Sequence, residues 1–125
     1  MNLTNLKMNL YKNEFCKMEF YTKFVIITFI EDFILTLSLA NQIREKLCSY
    51  YGDENFIMIN NRVHPLEISK EVYKHGQLAN MKGLAFVSKQ KTERDKALIE
   101  QRMFDKSFAF FEDLENAKSW ANSYF

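Results

Sequence analysis

Apolar and polar residues alternate along this chain at two different periods, and each change of period marks a predicted element. Residues 15–21 alternate strictly, with Cys16, Met18 and Phe20 on one side and charged residues between them. Such alternation is typical of a half-buried β-strand. Residues 24–30, FVIITFI, are apolar throughout and rich in β-branched residues, which favours a central strand covered on both faces or on one. The short polar break between the two runs predicts an antiparallel hairpin.

A helical period follows this hairpin. From Leu37 the apolar residues recur on one stripe, and Thr36 precedes them as the predicted N-cap. Gly52 ends the helix, because glycine readily takes the positive φ of a C-terminal cap. Residues 56–60, FIMIN, then predict a short strand, and residues 69–75 predict a short helix.

The next two elements are also bounded by turn and capping residues. Gly76 ends the short helix, and Gly83 opens a strand predicted over residues 84–88. Thr92 is the predicted N-cap of a helix that runs to about residue 104, with an acidic residue three positions after it, as in a capping-box variant.

The chain ends in one more strand and one more helix. Residues 107–111, SFAFF, predict the strand, and Asp113 caps the helix that follows. The predicted order is therefore β-β-α-β-α-β-α-β-α, which indicates a single α/β domain over residues 1–125 with about five strands and four helices. The crossovers make the later strands parallel, so the sheet is mixed. Residues 1–12 are interpreted as a loose lead or a short extra strand.

Composition excludes several classes of protein. Of the 125 residues, 47% are apolar, as in an ordered domain of ordinary size. Seventeen basic residues nearly balance sixteen acidic ones, which argues against a dedicated nucleic-acid binder. The apolar run over residues 24–40 carries Glu31 and Asp32 near its middle and is short for a membrane span. We therefore expect no transmembrane helix and no signal peptide.

The cysteine content favours a cytoplasmic protein. Cys16 and Cys48 are isolated, with no CxxC motif and no Cys/His cluster around them. Two such thiols are typical of reduced core residues. We expect both side chains to be part of the core.

Three segments, taken with the order of the elements, resemble a known family. They are the hairpin that leads into ILTLSLANQIREKL, the strand FIMINNR followed by SKEV, and the ending GLAFVSK, helix, FAFFEDLENAKSWANSYF. Together they resemble the STAS or SpoIIAA-like domains, named for sulfate transporters and anti-sigma-factor antagonists. More narrowly, the chain resembles small bacterial STAS-like proteins whose fold is shared with CRAL-TRIO lipid-transfer domains. The resemblance implies a SpoIIAA-like mixed sheet and a role in regulation or protein contact.

The resemblance also points to a candidate switch. Anti-sigma-factor antagonists carry an Asp-Ser pair where the helix after the third strand begins, and a partner kinase phosphorylates that serine. Here Ser69 stands near the corresponding place, but Ile68 precedes it, and Asn60 replaces the acid that usually ends the preceding strand. Ser69 is thus a candidate phospho-acceptor, and Asn60, Arg62 and His64 mark a candidate switch loop.

Motifs for other chemistry are scarce. His64 and His75 lie eleven positions apart without a third ligand in the pattern, so we expect no metal site. No nucleophile motif, phosphate-binding loop or dinucleotide fingerprint occurs, so we expect neither an enzyme nor a bound cofactor. Lys89, Lys91 and Arg94 lie where a strand leads into a helix N-terminus, which is typical of an anion site or of a solvated loop.

The aromatic residues leave two functions open. They are concentrated in the C-terminal third and the hairpin: Phe24, Phe29, Phe33, Phe104, Phe108, Phe110, Phe111, Trp120, Tyr124 and Phe125. They form either a core of large residues or, in part, an exposed contact patch. The first hypothesis is a non-enzymatic interaction or regulatory domain that contacts a protein partner or forms a homodimer. The alternative is a small carrier or sensor that binds a lipid or other apolar ligand between sheet and helices.

Overall fold

The computed structural model describes residues 7–75 and 77–125, and in them strands and helices follow one another as the sequence predicts. The interpretations placed on residues 1–6 and on Gly76 lie outside the described residues. The strands are β1 (Lys7–Lys12), β2 (Cys16–Tyr21), β3 (Phe24–Phe29), β4 (Phe33–Leu35), β5 (Phe56–Asn61), β6 (Leu66–Ile68), β7 (Met81–Val87) and β8 (Ser107–Phe111). The helices are α1 (Leu37–Tyr51), α2 (Lys70–Lys74), α3 (Lys91–Gln101) and α4 (Leu114–Tyr124).

The main sheet is mixed, with the strand order β1-β2-β3-β5-β7-β8. The predicted hairpin is confirmed: β2 and β3 pair antiparallel across a two-residue turn, while β3, β5, β7 and β8 run parallel. The sheet has six strands where the sequence predicted about five, because the second half of the N-terminal lead forms β1. Strands β4 and β6, which pair in a separate two-stranded sheet, were not predicted, because three residues are too few to show a period.

Both faces of the sheet are covered, but unequally. Each parallel strand is added on the same side of the previous one, so right-handed crossovers place α1, α2 and α3 on one face. The last helix, α4, lies on the other face, where Ala117 and Ala121 pack against apolar residues of β3, β5 and β7. Within β3, Val25 and Ile27 belong to the first layer and Ile26 to the second. The central strand is therefore covered on both faces, one of the two arrangements predicted from its sequence.

The capping residues place most of the helix ends as predicted. The Thr36 hydroxyl accepts a hydrogen bond from the Leu39 amide at 3.3 Å, and Gly52 ends α1 with φ at +57°. Asp113 caps α4 by accepting from the Asn116 amide at 2.8 Å. Such caps satisfy backbone groups that have no partner within the helix.

The predicted start and end of α3 were wrong. Its N-cap is Gln90, without a side-chain cap, rather than Thr92. The chain turns earlier because the Ser88 hydroxyl accepts from the Gln90 amide at 3.1 Å, and the Arg94 amide already donates to the Gln90 carbonyl. The helix ends at Gln101, short of residue 104, and Phe104 is buried beyond it.

The sequence predicted that Gly83 opens a strand. In the structure Gly83 lies inside β7 instead. A Cβ atom added there would lie 2.7 Å from Ile57 Cδ1 and 3.2 Å from Trp120 Cη2. Because Gly83 has no side chain, α4 and β5 can pack closely against β7 at this position. Close packing of this kind is a common reason for glycine within a strand.

We expect Gly83→Ala to lower the free energy of unfolding by about 1–3 kcal/mol, the usual effect of overpacking a core. Urea denaturation of the variant and of the unchanged protein would measure the loss. Ile57→Val removes the Cδ1 atom that the new methyl would strike, so the double variant should lose less than the sum of the two single losses. Strict additivity would contradict this assignment.

Gly52→Ala is the matched control, because no atom lies within 4 Å of the position that its new methyl group would take, while φ is positive. Its loss should come from backbone strain, and Ile57→Val should leave that loss unchanged.

Candidate functional site

A buried arginine lies at the carboxyl end of the parallel strands. Arg62 directly follows β5, and its side chain is 0% exposed. Its amide donates to the Val87 carbonyl at 2.8 Å, which fixes the backbone beside β7. The guanidinium lies 4.0 Å from the centre of the Phe86 ring, donates through Nη2 to Glu100 Oε1, and has Nη1 at 3.7 Å from Glu93 Oε1. A guanidinium suits this position because it stacks on a ring while it binds carboxylates.

Glu93 and Glu100 also bind other residues around Arg62. The Tyr73 hydroxyl donates to Glu100 Oε1 at 2.8 Å. Lys96 Nζ lies 2.7 Å from Glu93 Oε2, and the Leu66 amide donates to Glu93 Oε1 at 3.0 Å. We call Arg62, Tyr73, Glu93, Lys96 and Glu100 the ion cluster. It ties the end of β5, the start of β6 and helix α2 to α3.

The ion cluster is electrically balanced, with two cations against two carboxylates. Burial raises the pKa of the Glu100 carboxyl, while the Arg62 cation and the Tyr73 hydroxyl bond oppose that rise. Burial and the neighbouring Glu100 charge raise the pKa of Tyr73, so its hydroxyl stays protonated and donates. These groups bind one another, so the cluster links β5, β6 and α2 to α3 inside the fold.

The roles of both glutamates were not predicted from the sequence. The capping-box role was given to Asp95, three positions after Thr92, and neither Glu93 nor Glu100 was expected to be buried. A signal was present: Glu93, Ala97 and Glu100 recur at helical spacing, so two carboxylates share the buried face of α3 with an alanine. A charge on an apolar stripe indicates a buried partner elsewhere in the chain.

A cavity of about 70 Å³ lies beside the ion cluster, between the sheet and helices α1 and α2. The buried Asn60 lines it, and the Asn60 Oδ1 and Gln77 Oε1 oxygens have no hydrogen-bond partner among the described residues. The rest of the lining is mainly apolar and includes Ile27, Ile43, Leu47, Met58, Phe86 and Phe104. Such a volume holds a few water molecules, whereas pockets for drug-sized ligands are typically 300–1,000 Å³.

The residues of the predicted switch loop have separate environments. Asn60 is buried in β5, Arg62 is bound in the ion cluster, and His64 is exposed beyond them. Ser69 is the N-cap of α2, and its hydroxyl accepts from the Glu71 amide at 3.4 Å. The roles of these residues as a switch and of Ser69 as a phospho-acceptor stay predictions.

The predicted anion-binding residues do come together in one open cleft. Lys89, Lys91 and Arg94 line it, but so do Asp95 and Glu112. Lys91 Nζ lies 2.9 Å from Asp95 Oδ2, and the Arg94 guanidinium lies 5.5 Å from the centre of the Phe110 ring. The carboxylates offset part of the positive charge, and anion binding stays a prediction.

The aromatic residues divide between core and surface. Phe24, Phe29 and Phe104 are buried, whereas Tyr124 and Phe125 are exposed. The aromatic residues of β8 lie between these extremes, half-buried on both faces.

The two cysteines differ in the same way. Cys16 is buried as expected, and burial raises the pKa of its thiol to about 11. Cys48 is exposed, contrary to the expectation that both belong to the core, because it points away from the buried stripe of α1.

Three exposed aliphatic residues lie near the ion cluster. Ile30 directly follows β3, Val63 lies two residues beyond β5, and Ile34 belongs to β4. Their side chains are 51%, 57% and 61% exposed, respectively. Since β3 and β5 are adjacent parallel strands, Ile30 and Val63 lie at the same end of the sheet. We call Ile30, Ile34 and Val63 the carboxyl-end patch.

The described residues contain no cluster of three or more His, Cys, Asp or Glu side chains that could hold a metal ion. None of the helices formed by these residues combines the length and the apolar character needed to cross a bilayer.

A comparison with solved structures shows the fold. The chain is similar to the crystal structure of an uncharacterised protein of the DUF3478 family, with a SpoIIAA-like fold, from Shewanella loihica PV-4. The TM-score is 0.57 at 16% sequence identity, over 90% of each chain. No protein-family model matches the chain, and no curated protein matches it in sequence. The chain thus has the SpoIIAA-like fold that its sequence predicted.

We expect Arg62→Met to lower the free energy of unfolding by about 3–5 kcal/mol, because it leaves two buried carboxylates without their shared cation. Lys91→Met removes a cation from an exposed pair with Asp95, and should change stability by less than about 1 kcal/mol. Urea denaturation of both variants measures the contrast. Equal losses would contradict the structural role of the ion cluster.

Glu100→Gln tests the raised pKa of Glu100. The folded chain holds the proton of Glu100 more tightly than the unfolded chain does, so the stability contributed by this group falls as pH rises from the ordinary glutamate pKa to the raised one. Glutamine does not titrate. The unfolding free energy of the unchanged protein, minus that of the variant, should therefore decrease from about pH 4 upward and level off above the raised pKa. Urea titrations at a series of pH values would show it, and a difference that rises with pH would contradict it.

Proposed function

We propose that this chain is a non-enzymatic, STAS-like interaction or regulatory domain that acts through contacts with other proteins. The observation that carries the proposal is the chemistry at the carboxyl end of its parallel strands. In α/β folds this is where ligands and catalytic groups most often lie. Here the ionisable side chains of the ion cluster bind one another, and the carboxyl-end patch presents aliphatic side chains to solvent.

Exposed aliphatic residues favour a protein partner. Apolar side chains that are more than half exposed at one end of a sheet suit a surface that another protein covers. The His64 imidazole and the Ser69 region lie on the same connection between β5 and α2, so a partner bound at the patch would contact the candidate switch loop. A regulatory change in this loop would then alter the contact directly.

The cavity supports a second candidate, a carrier or sensor for a small apolar ligand. Its apolar lining and its two unpaired amide oxygens suit a compact molecule with a hydrogen-bond donor. Its volume of about 70 Å³ argues against a lipid, which needs several hundred Å³. We therefore place the interaction domain first.

Ile34→Lys tests the interaction domain, because it introduces a charge at the most exposed residue of the carboxyl-end patch without removing a buried group. Tagged protein would be used to isolate specific partners from the source organism, and each partner would then be titrated against purified variants. We expect affinity for the partner to fall by about tenfold or more, as for a central interface residue.

Ile99→Lys is the matched control, because Ile99 is 62% exposed on α3, close to the 61% of Ile34. It should leave the affinity unchanged. Equal binding by both variants would contradict the proposal, and a small molecule retained by the unchanged protein in native mass spectrometry would favour the second candidate.

A further inference from the structure

The two edges of the main sheet are built differently. Edge strand β1 carries lysine at each end, and its pairing with β2 shifts register between Lys7 and Asn9. Charges and bulges of this kind protect an edge from pairing with another chain. Edge strand β8, SFAFF, contains no charge and no proline, and its register with β7 is continuous. Among the described residues, no strand pairs with its outer side.

The backbone of β8 has hydrogen-bonding groups directed outward. The Ser88 amide donates to the Phe111 carbonyl at 3.1 Å, so the polar groups of Phe111 face β7. Because these groups alternate along a strand, Ser107 and Ala109 also face β7, while the N–H and C=O groups of Phe108 and Phe110 face away from it. All five residues are half-buried, so the outer edge is accessible.

We propose that β8 pairs antiparallel with β8 of a second copy of this chain, about a two-fold axis at Ala109. In this register Phe108 of each copy lies opposite Phe110 of the other. These are the residues whose N–H and C=O groups face outward, so each pair can exchange two backbone hydrogen bonds. The symmetry uses the open edge of both copies, and the assembly closes as a dimer.

The charges that flank β8 select this register and this partner. Lys106 precedes the strand and Glu112 follows it, and neither forms an ion pair among the described residues; Lys106 Nζ instead donates to the Leu78 carbonyl at 2.7 Å. Antiparallel pairing about Ala109 places Lys106 of each copy opposite Glu112 of the other. Parallel pairing in register would place like charges opposite each other, which is unfavourable.

The side chains on both faces fit the same register. Phe108 and Phe110 belong to the face covered by α3, so the new contact brings two Phe–Phe pairs together there. Ser107 lies opposite Phe111 on the face covered by α4. Aromatic cross-strand pairs stabilise antiparallel sheets. Asp105 and Asp113 lie beyond the strand, in the preceding turn and at the α4 N-cap, so the ladder ends at the Lys–Glu pairs.

This inference rests on the proposed function, because it names a second copy as one partner of the interaction domain. It assigns that partner to a surface different from the carboxyl-end patch. The two proposals can therefore fail separately. Ile34→Lys should leave the dimer intact, and changes at β8 should not affect the binding of a different protein to the carboxyl-end patch.

Charge reversal provides the first test. Lys106→Glu and Glu112→Lys should each raise the dimer dissociation constant roughly tenfold, because each places like charges together at both ends of the ladder. The double variant restores opposite charges and should return the constant to within about threefold of the original. Sedimentation equilibrium of the full chain measures all four proteins, and urea denaturation verifies that each is folded.

Disulfide trapping provides the second test, in a Cys48→Ser background that removes the exposed native thiol. Ala109→Cys places a thiol on the axis, opposite its own symmetry mate, and should give a covalent dimer on mild oxidation. Ser107→Cys lies on the same strand and face but opposite Phe111, so it should remain monomeric. A strict monomer throughout the micromolar range would overturn the inference, as would a dimer indifferent to charge reversal and not trapped through Ala109→Cys. A dimer that is indifferent to charge reversal and is not trapped through Ala109→Cys would leave the proposed function standing.

Discussion

The arrangement of this chain depends on one buried cation. Arg62 directly follows β5, its side chain is not exposed to solvent, and among the described residues its charge is balanced only by the two carboxylates of α3. Because an unpaired charge in such a place is strongly unfavourable, α3 must lie where Glu93 and Glu100 meet the guanidinium. The position of α3 then fixes α2 through Tyr73. The cluster therefore contributes to the arrangement of these elements more than to stability, since buried ion pairs often stabilise no better than apolar contacts.

The same constraint directs the charged groups of the ion cluster toward one another. The charged groups of the ion cluster are neutralised within the fold, and the Tyr73 hydroxyl completes the set. The surface beside them presents both the aliphatic carboxyl-end patch and the charged residues of the open cleft. Two amide oxygens in the cavity beside the cluster, and the Nε atom of Arg62 itself, have no hydrogen-bond partner among the described residues.

Elements with a sustained period or a well-formed cap could be predicted from the sequence. The hairpin, α1, β8 and α4 are examples, because Thr36, Gly52 and Asp113 mark helix ends through local chemistry. Features that depend on distant residues could not be predicted. Gly83 is explained only by Ile57 and Trp120, which lie far from it in sequence. The paired strands β4 and β6 likewise exist only beside each other.

The candidate site was predicted in part. Arg62 was predicted as part of a switch loop through the family resemblance, but in the structure it forms a buried ion pair. Its partners were missed because polar residues on a helix are ordinarily assigned to the solvent side. Only the spacing of Glu93 and Glu100 around Ala97 contradicts that assignment, and it does so without showing which cation they bind.

The unequal covering of the sheet has a consequence for synthesis of the chain. Helices α1, α2 and α3 each follow a strand that they help to cover, so their face of the sheet can be buried as the chain emerges. The opposite face depends on α4, which follows all strands of the main sheet along the chain. Until α4 has been made, Phe24, Ile26 and Ile59 on the central strands stay open to water and to other chains. A nascent chain therefore keeps one apolar face of its sheet exposed after the strands have been made, and such exposed surface is prone to aggregation.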